Sequence, residues 1–390
     1  MKSADKADSN QVDALGVEQI LLRIKKPQYK GDYKASAAYG NTLSAGIKQL
    51  PQVALMLARL KMRQGYIAQA EALLENADQT TASSGEQLVL KMEWAALQML
   101  RRGVVIPPVE VATAALESLS EAAAPADVAD AQRIHCRVLF NAVIAREMDR
   151  ELVVAQAAEL PEIAARLEAS GLIDEGLSAR FTYADNVLVG EARILALGEL
   201  AERAIAVGQS QVAGEAYVRR AERRLAAGEE SDRILADLDK AAKRYAEVNH
   251  VIGPIDIRRV QAQLAIQREL AVPDEWIGCL ALYREADYPK GAISLLMDLS
   301  QLAHDSGDTA LALDYRQQGL EAARATGMGM MEDNFQLALI DLLMRNNQYG
   351  AAIEVCEAAI ESDVPRFNKG NYEQMLSTVY AFVRDFKRSR

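Results

Sequence analysis

Three segments of this 390-residue chain repeat one pattern of a helix, a short turn and a second helix. The segments begin at Gln52, Leu295 and Phe335. In each, an amphipathic stretch of about four helical turns ends at a turn residue, and two small residues follow on the second helix. The turn residues are Gly65, Gly307 and Asn347, and the small residues are Ala70 and Ala77, Ala312 and Gly319, and Ala352 and Ala359. Because small residues seven apart share one helix face, the pattern predicts that the two helices approach closely.

The remainder of the chain is consistent with an all-α fold. Half of the residues are apolar and 5% are aromatic, and the apolar residues are mostly Ala and Leu, which favour helices. Glycine and proline fall between the periodic stretches, and runs rich in β-branched and aromatic residues are nearly absent. The sequence therefore predicts an all-α fold class.

This pattern resembles the tetratricopeptide repeat, a helix–turn–helix unit with a glycine at its turn and alanines on its second helix. A looser copy has Gly208 at the turn and Ala213 in the first small position, but Arg220 replaces the second small residue, so we expect that unit to pack differently. Weaker copies cover 84–121 and 126–170. Ala312 and Ala352 are 40 residues apart, which exceeds the usual repeat of about 34 and is similar to the longer-helix arrays of bacterial regulators.

The resemblance implies a right-handed α-solenoid of about nine antiparallel helix hairpins, each burying its apolar face against the next. End units of such an array need polar outer faces. We therefore predict a disordered N-terminus at 1–10, capping helices at 11–50, the repeat array at 51–364 and a C-terminal capping helix at 365–390.

Charge and targeting signals narrow the class of protein. The formal net charge is −11, whereas a nucleic-acid-binding domain normally carries a basic excess, so we expect no direct nucleic-acid binding. The first residues contain no apolar signal core, and no apolar run is long enough to span a bilayer. The three cysteines are far apart and do not form a disulfide framework. We expect a soluble, cytoplasmic protein without membrane insertion.

The sequence contains no recognisable catalytic or metal-binding motif. Phosphate loops, nucleotide-binding glycine motifs, nucleophile elbows and zinc-protease motifs are absent. His135, His250 and His304 each lack a second His or Cys at metal-ligand spacing. We therefore predict that the chain is not an enzyme and binds no cofactor and no metal.

Polar stripes on the presumptive first helices are the candidates for recognition. In a solenoid of hairpins, the first helices line the concave surface, where arginine can bind carboxylates and amide side chains can bind peptide backbone. The candidate groove residues are Arg59, Arg63, Arg133, Arg137, Asn141, Arg259, Gln263 and Gln267, and towards the C-terminus Gln301, His304, Asp341 and Arg345. The stripes suggest a groove for a peptide, in particular an acidic or C-terminal one; each stripe is also consistent with an ordinary solvated helix face.

Three functions stay open at this point. The first is a protein-interaction module, that is, an adaptor, scaffold or regulatory partner that binds a protein or peptide in the groove. The second is a sensor of a signalling peptide or small ligand that regulates an effector in trans, and the third is an enzyme on an α-superhelical scaffold. The apolar C-terminal helix further suggests a homodimer or a partner contact at that end.

Overall fold

The computed structural model describes residues 4–28, 32–78, 80, 82, 84–102, 106–119, 125–144, 150–269, 274–326, 328–361 and 369–388. Within these ranges all regular secondary structure is helical, and no strand occurs. The all-α prediction is confirmed.

The helices follow one another with short connections. The first eleven are α1 (Ala4–Gln28), α2 (Tyr33–Thr42), α3 (Ala45–Gln49), α4 (Pro51–Arg63), α5 (Ile67–Glu75), α6 (Ser84–Arg102), α7 (Ile106–Leu119), α8 (Pro125–Ile144), α9 (Arg150–Ala157), α10 (Leu160–Ala169) and α11 (Ile173–Thr182). A π-helical segment, Tyr183–Val187, continues α11. The later helices are α12 (Gly190–Ala206), α13 (Ser210–Ala226), α14 (Ser231–Val248), α15 (Gly253–Glu269), α16 (Asp274–Glu285), α17 (Pro289–Asp305), α18 (Thr309–Thr326), α19 (Gly329–Arg345), α20 (Tyr349–Glu361) and α21 (Lys369–Arg388).

The chain divides into two compact units. The first unit comprises Met1–Arg101, Val105–Leu264 and Glu285–Tyr288, and the second comprises Arg102–Val104, Ala265–Arg284 and Pro289–Arg390. Sequential helices pack as neighbours in both: α4 on α5, α10 on α11 and α12 to α14 in the first unit, and α17 to α21 in the second. The proposed limits of the caps and the array stay a prediction. The same holds for disorder at 1–10, where α1 begins at Ala4 and residues 1–3 lie outside the described ranges.

The turns of the repeats have the backbone conformation that their residue types favour. Gly65, Gly208 and Gly307 have φ of 80°, 78° and 84°, and Asn347 has φ of 58°. This left-handed region costs glycine nothing and is tolerated by asparagine better than by most residues. The four turns recognised in the sequence therefore reverse the chain in the same way.

The small residues of the second helices are buried. Ala70, Ala312 and Ala352 are fully buried. At Gly319 of α18, the ring of Phe335 from α19 occupies the space in which a β-carbon would lie. Gly319 thus makes room for the first helix of the following hairpin, and the close approach expected within each pair stays a prediction.

The looser copy packs differently, as expected, because its small residue lies on the facing helix. The guanidinium group of Arg220 on α13 lies against Gly198 of α12 and over the ring of Tyr217, 5.1 Å from its centroid. Arg220 Nε also donates to Asp237 Oδ2 on α14 at 2.8 Å. The glycine on α12 thus makes room for a large side chain on α13.

Within the first unit, the N-terminal helices contact segments far along the chain. The hydroxyl of Tyr33 donates to the side chain of Gln209, and Val251 N donates to Gln64 O at 3.0 Å. Val248 of α14 shares an apolar cluster with Ile20 of α1. These contacts bring α4 into one interior with helices that follow more than a hundred residues later.

Candidate functional site

A cavity of about 160 Å³ lies in the interior of the first unit. Its wall is formed by α4, α6, α8, α11 and α13. The lining residues are Arg59, Met62, Arg63, Glu93, Arg133, Arg137, Asp174, Glu175, Ser178, Phe181, Gln211, Val212 and Glu215. Two of the polar stripes recognised in the sequence therefore contribute four arginines to one cavity.

Arg59 connects three helices around this cavity. Its Nε donates to Glu93 Oε1 of α6 at 2.6 Å, and its Nη2 donates to Asp130 Oδ2 of α8 at 2.5 Å. Only 15% of its side chain is exposed. Burial lowers the pKa of the guanidinium, but Asp130 and Glu93 outweigh burial and raise it above its ordinary value, so Arg59 stays charged.

Arg63 lies one turn further along α4 and pairs with α11. Its Nη1 lies 2.5 Å from Asp174 Oδ2, and its Nη2 donates to Glu175 Oε1 at 3.2 Å. It also donates to Gln28 Oε1 at 2.9 Å. Arg59 and Arg63 are four residues apart and therefore lie on the same face of α4. Arg63 is in the last turn of this helix, and the polar stripe faces the carboxylates of α11.

Arg133 and Arg137 face the cavity from α8. Arg133 Nη2 donates to Asp130 Oδ1 at 2.7 Å, and Arg137 Nη2 donates to Glu93 Oε2 at 2.9 Å. The Arg133 side chain is almost fully buried, whereas that of Arg137 is 30% exposed. Arg137 is therefore the most accessible of the four arginines.

The carboxylates that receive these arginines are held ionised. Burial alone would raise the pKa of Glu93, but Arg59, Arg137 and Arg133 lower it to about 2. For Asp130, the guanidinium groups of Arg59 and Arg133 likewise outweigh burial and hold the pKa well below its ordinary value. These two side chains are compensated buried charges, which proteins retain only in such pairs.

Asp174 and Glu215 behave in the opposite way. Burial, with a further contribution from Glu175, raises the pKa of Asp174 to about 6 in spite of Arg63. Burial also raises the pKa of Glu215 to about 7, although a hydrogen bond from Gln211 and the charge of Arg219 lower it in part. Both carboxyl groups lose their protons near neutral pH, inside a cavity whose arginines are already paired.

The charged residues that line the cavity are equal in number but unevenly paired. Four guanidinium groups line it together with four carboxyl groups, namely Glu93, Asp174, Glu175 and Glu215. Glu93 receives contacts from three of the arginines, whereas Asp174 pairs with Arg63. The neutralisation of acid by base is therefore concentrated at Glu93.

Arg259 and Gln263 of the first unit lie outside the cavity lining. Asn141 is on α8, but its side chain lies outside the part of the structure that is described. Arg259 is partly buried and forms a salt bridge with Glu222, which Arg219 also contacts. Gln263 is partly buried one turn beyond Arg259.

In the second unit the predicted residues form local contacts on helix faces. Gln267 is exposed on α15. Gln301 Nε2 donates to Asp305 Oδ1 at 2.8 Å, and Arg345 Nε donates to Asp341 Oδ2 at 2.8 Å, each within its own helix. His304 is partly buried, and its Nδ1 has no hydrogen-bond partner among the described residues. None of these residues is among those that line the arginine cavity.

The acidic half of the cavity was not singled out from the sequence. A signal existed for Glu93, because it lies three residues after Leu90 and four before Leu97, on the apolar face of α6. Charged residues are rarely buried unless they are paired, so an acid on an apolar face indicates a buried base. Asp174 offers no such signal, because its partner Arg63 comes from a distant part of the chain.

The described residues also bear on metals and membranes. They contain no group of three or more His, Cys, Asp or Glu side chains placed to hold a metal ion. None of the helices they form combines the length and apolar character that a bilayer crossing needs. Cys136, Cys279 and Cys356 are buried and form no disulfide.

No protein-family model and no curated protein sequence matches the chain. The all-helical fold is consistent with the tetratricopeptide-like array expected from the sequence.

Three solved structures are similar to the chain. A signal transduction ATPase with numerous domains (STAND) protein with a tetratricopeptide repeat sensor, from Pyrococcus horikoshii, matches over 96% of this chain and 61% of its own, at 13% identity and a TM-score of 0.42. A Rap protein complexed with competence and sporulation factor matches over 96% and 98%, at 12% identity and 0.42. Yeast Tom70 matches over 95% and 88%, at 13% identity and 0.32. The chain spans 61% of the length of the first of these, and the site is assigned from its own residues alone.

Proposed function

We propose that the chain is a non-enzymatic interaction module that binds a peptide, or an exposed segment of a protein, at the cavity of the first unit. The observation that supports this most directly is the convergence of polar side chains from five helices on one cavity. Clefts with a few convergent polar groups and titratable residues of shifted pKa are the usual binding sites of proteins.

The size of the cavity favours a small feature of the partner over a broad surface. An apolar cavity of about 150 Å³ can hold a benzene-sized ligand, and this cavity measures about 160 Å³. It therefore suits one side chain or one chain end of the partner. The partner's remaining contacts would lie on the surrounding first helices, such as the exposed part of Arg137.

A second function is supported by the way the first unit closes. The Tyr33–Gln209 and Gln64–Val251 contacts join the N-terminal helices to α13 and to the α14–α15 connection. A signalling peptide or small ligand in the cavity would bias these contacts and could thereby regulate an effector in trans. An adaptor and a sensor would bind their ligand in the same cavity. In a sensor, ligand binding changes the Tyr33–Gln209 and Gln64–Val251 contacts, and in an adaptor it does not.

A peptide selection with a matched pair of variants tests the proposal. Ser178 lines the cavity, so Ser178→Trp fills it, whereas Ser118→Trp adds the same ring on the exposed face of α7. Random heptapeptides displayed on phage are selected on the unaltered protein and then measured on both variants. Circular dichroism melting confirms that both variants are folded.

Peptides that bind the unaltered protein and Ser118→Trp but not Ser178→Trp support the interaction module. If no peptide is selected, or if those selected bind Ser178→Trp equally well, the cavity is not the binding site and the proposal is wrong. Hydrogen exchange with a selected peptide then separates the two functions. A sensor changes protection around Gln209 and Val251, and an adaptor leaves it unchanged.

A further inference from the structure

We propose that the cavity recognises a cationic group, an ammonium or a guanidinium, of its peptide ligand. This inference depends on the proposed function and names the chemistry of the group that enters the cavity. It reverses the sequence-based expectation of an acidic or C-terminal peptide, because the structure shows what the four arginines already bind.

Three of the four arginines have little capacity left for an acidic ligand. Arg59 and Arg133 each contact two or more carboxylates of the protein, and Arg63 contacts two. An incoming carboxylate would have to displace one of these buried acids, which would leave an uncompensated buried charge. Glu93, Asp174 and Glu175 would also repel the incoming carboxylate.

Asp174 offers an acceptor that the protein does not use. Its Oδ2 pairs with Arg63, but its Oδ1 has no hydrogen-bond partner among the described residues. The residue is 6% exposed and lines the cavity. An unsatisfied buried acceptor costs free energy until a donor reaches it, so a ligand that donates a hydrogen bond there is favoured.

Glu215 supplies a second acceptor from the opposite helix. It lies on α13, accepts a hydrogen bond from Gln211 and forms no salt bridge with a Lys or Arg of the described residues. A cation placed between α11 and α13 would therefore contact two carboxyl groups whose charge is only partly compensated. Ammonium and guanidinium groups carry several donors and no acceptor, which matches such a pair.

The apolar part of the wall suits the carbon chain behind such a group. Met62, Phe181 and Val212 line the same cavity. Lysine and arginine bury their methylene stems on apolar surface while the charged end binds polar groups. Methionine and an aromatic ring both adapt well to such a stem and its charge.

The test uses five pentapeptides, each of which carries a single charge at its central side chain or at one chain end. They are acetyl-Ala-Ala-Arg-Ala-Ala-amide, the same peptide with Lys, the same peptide with Glu, penta-alanine amide with a free N-terminus, and acetyl-penta-alanine with a free C-terminus. Isothermal titration calorimetry at pH 7 measures each affinity. The Lys and Arg peptides report a side-chain cation, and the free N-terminus reports a chain end.

Two further readouts locate the cation. Glu215→Gln keeps the shape and the Gln211 contact, and should weaken the cationic peptide by about 10–100-fold, the loss of one charged hydrogen bond. Glu199→Gln on the exposed face of α12 is the matched control and should leave affinity unchanged. Titrations in phosphate and in Tris should differ in heat, because a cation beside Glu215 displaces its proton.

The outcomes separate this inference from the proposed function. Binding of a cationic peptide that Ser178→Trp abolishes and Glu215→Gln weakens supports both. If the Glu or free C-terminus peptide binds in its place and Ser178→Trp abolishes that, the cation inference is wrong and the interaction module stands. A cationic peptide that binds Glu215→Gln and Ser178→Trp undiminished places the site elsewhere and overturns the inference. If none of the five binds, the cation inference is wrong, and the heptapeptide selection alone decides the interaction module.

Discussion

In both units, the first helices of the hairpins carry similar polar stripes, but the surroundings of these stripes differ. In the first unit, Arg59 pairs with Glu93 and Asp130, partners that are 34 and 71 residues away. In the second unit, Arg345 pairs with Asp341 four residues away on the same helix face. The first stripe is buried and connects helices, whereas the second is exposed and stabilises only its own helix.

This difference shows that a polar stripe at helical spacing has two outcomes. Where later helices return to cover the stripe, its charges need buried partners, and a charged cavity results. Where no helix covers it, the same residue types form solvated local pairs of small energy. The two tryptophans make the comparison measurable, because Trp94 lies in the first unit and Trp276 in the second.

The largest difference in lost stability between the two units should appear when one buried acid and one exposed acid are each replaced by alanine. Glu93→Ala leaves Arg59, Arg133 and Arg137 without a shared buried partner and should lower the free energy of unfolding of the first unit by about 3–5 kcal/mol. Asp341→Ala removes an exposed pair and should cost the second unit about 0–1 kcal/mol. Urea unfolding followed by fluorescence, in Trp276→Phe and Trp94→Phe backgrounds respectively, measures each unit. Equal losses in the two units would mean that the burial of the first stripe has no energetic consequence.

The pH dependence of stability should also separate the two units. The folded pKa values of Asp174 and Glu215, about 6 and about 7, exceed the ordinary values of 3.8 and 4.5. The folded state therefore binds more protons than the unfolded state between about pH 4 and pH 7, so stability falls as pH rises through this window. These two carboxyl groups should together lower stability by about 3–4 kcal/mol between pH 5 and pH 8, because a tenfold change in proton affinity corresponds to about 1.4 kcal/mol. His250 opposes them, because burial lowers its folded pKa to about 4 and only the unfolded state still binds a proton there near pH 5; this offsets about 2 kcal/mol, so the net loss should be about 1–2 kcal/mol.

Glu215→Gln should flatten this dependence, and the exposed Glu199→Gln should not. The groups facing Glu215 are Gln211, Arg219, Asp256 and Arg137. Urea midpoints at pH 5, 6, 7 and 8 provide the measurement. If Glu215→Gln changes the pH dependence no more than Glu199→Gln does, Glu215 is ionised in the folded state without cost.

Two glycines test how neighbouring helices pack in each unit. In the second unit, the ring of Phe335 lies on Gly319, so Gly319→Ala forces a rigid ring to move and should cost about 1–3 kcal/mol. In the first unit, the flexible end of Arg220 lies on Gly198, so Gly198→Ala should cost less. Both are helical positions, where alanine itself is favoured over glycine. Thermal melts compare the variants, and a greater loss at Gly198 would contradict the assigned packing.

The smallest predicted effect concerns two hydroxyl groups. Tyr33 is 1% exposed and donates to Gln209 across the closure of the first unit, so Tyr33→Phe should cost about 1–2 kcal/mol. Tyr380 of α21 is 48% exposed and donates to Glu357 at 2.9 Å, so Tyr380→Phe should leave stability unchanged. Chemical unfolding of both variants decides the comparison. An unchanged Tyr33→Phe would mean that this contact does not hold the N-terminal helices in place.

The sequence alone determined the fold class and the repeat geometry. Helix periodicity, turn glycines and paired small residues are local patterns, and each is set by the conformation of a few neighbouring residues. The φ values at Gly65 and Asn347 and the burial of Ala352 agree with that interpretation. The same patterns identified the arginine stripes.

The partners of those stripes were decided only by the tertiary structure. The chain has 55 acidic residues. The apolar face of α6 marks Glu93 as buried but does not name its partners, and nothing local distinguishes Asp174, which meets Arg63, from an acid that meets water. Pairing depends on which helices return to cover α4, and that return depends on contacts such as Tyr33 with Gln209, 176 residues apart. The charge of each side chain follows from the sequence. The balance of charge within a cavity depends on the distances between side chains, which only the folded chain defines.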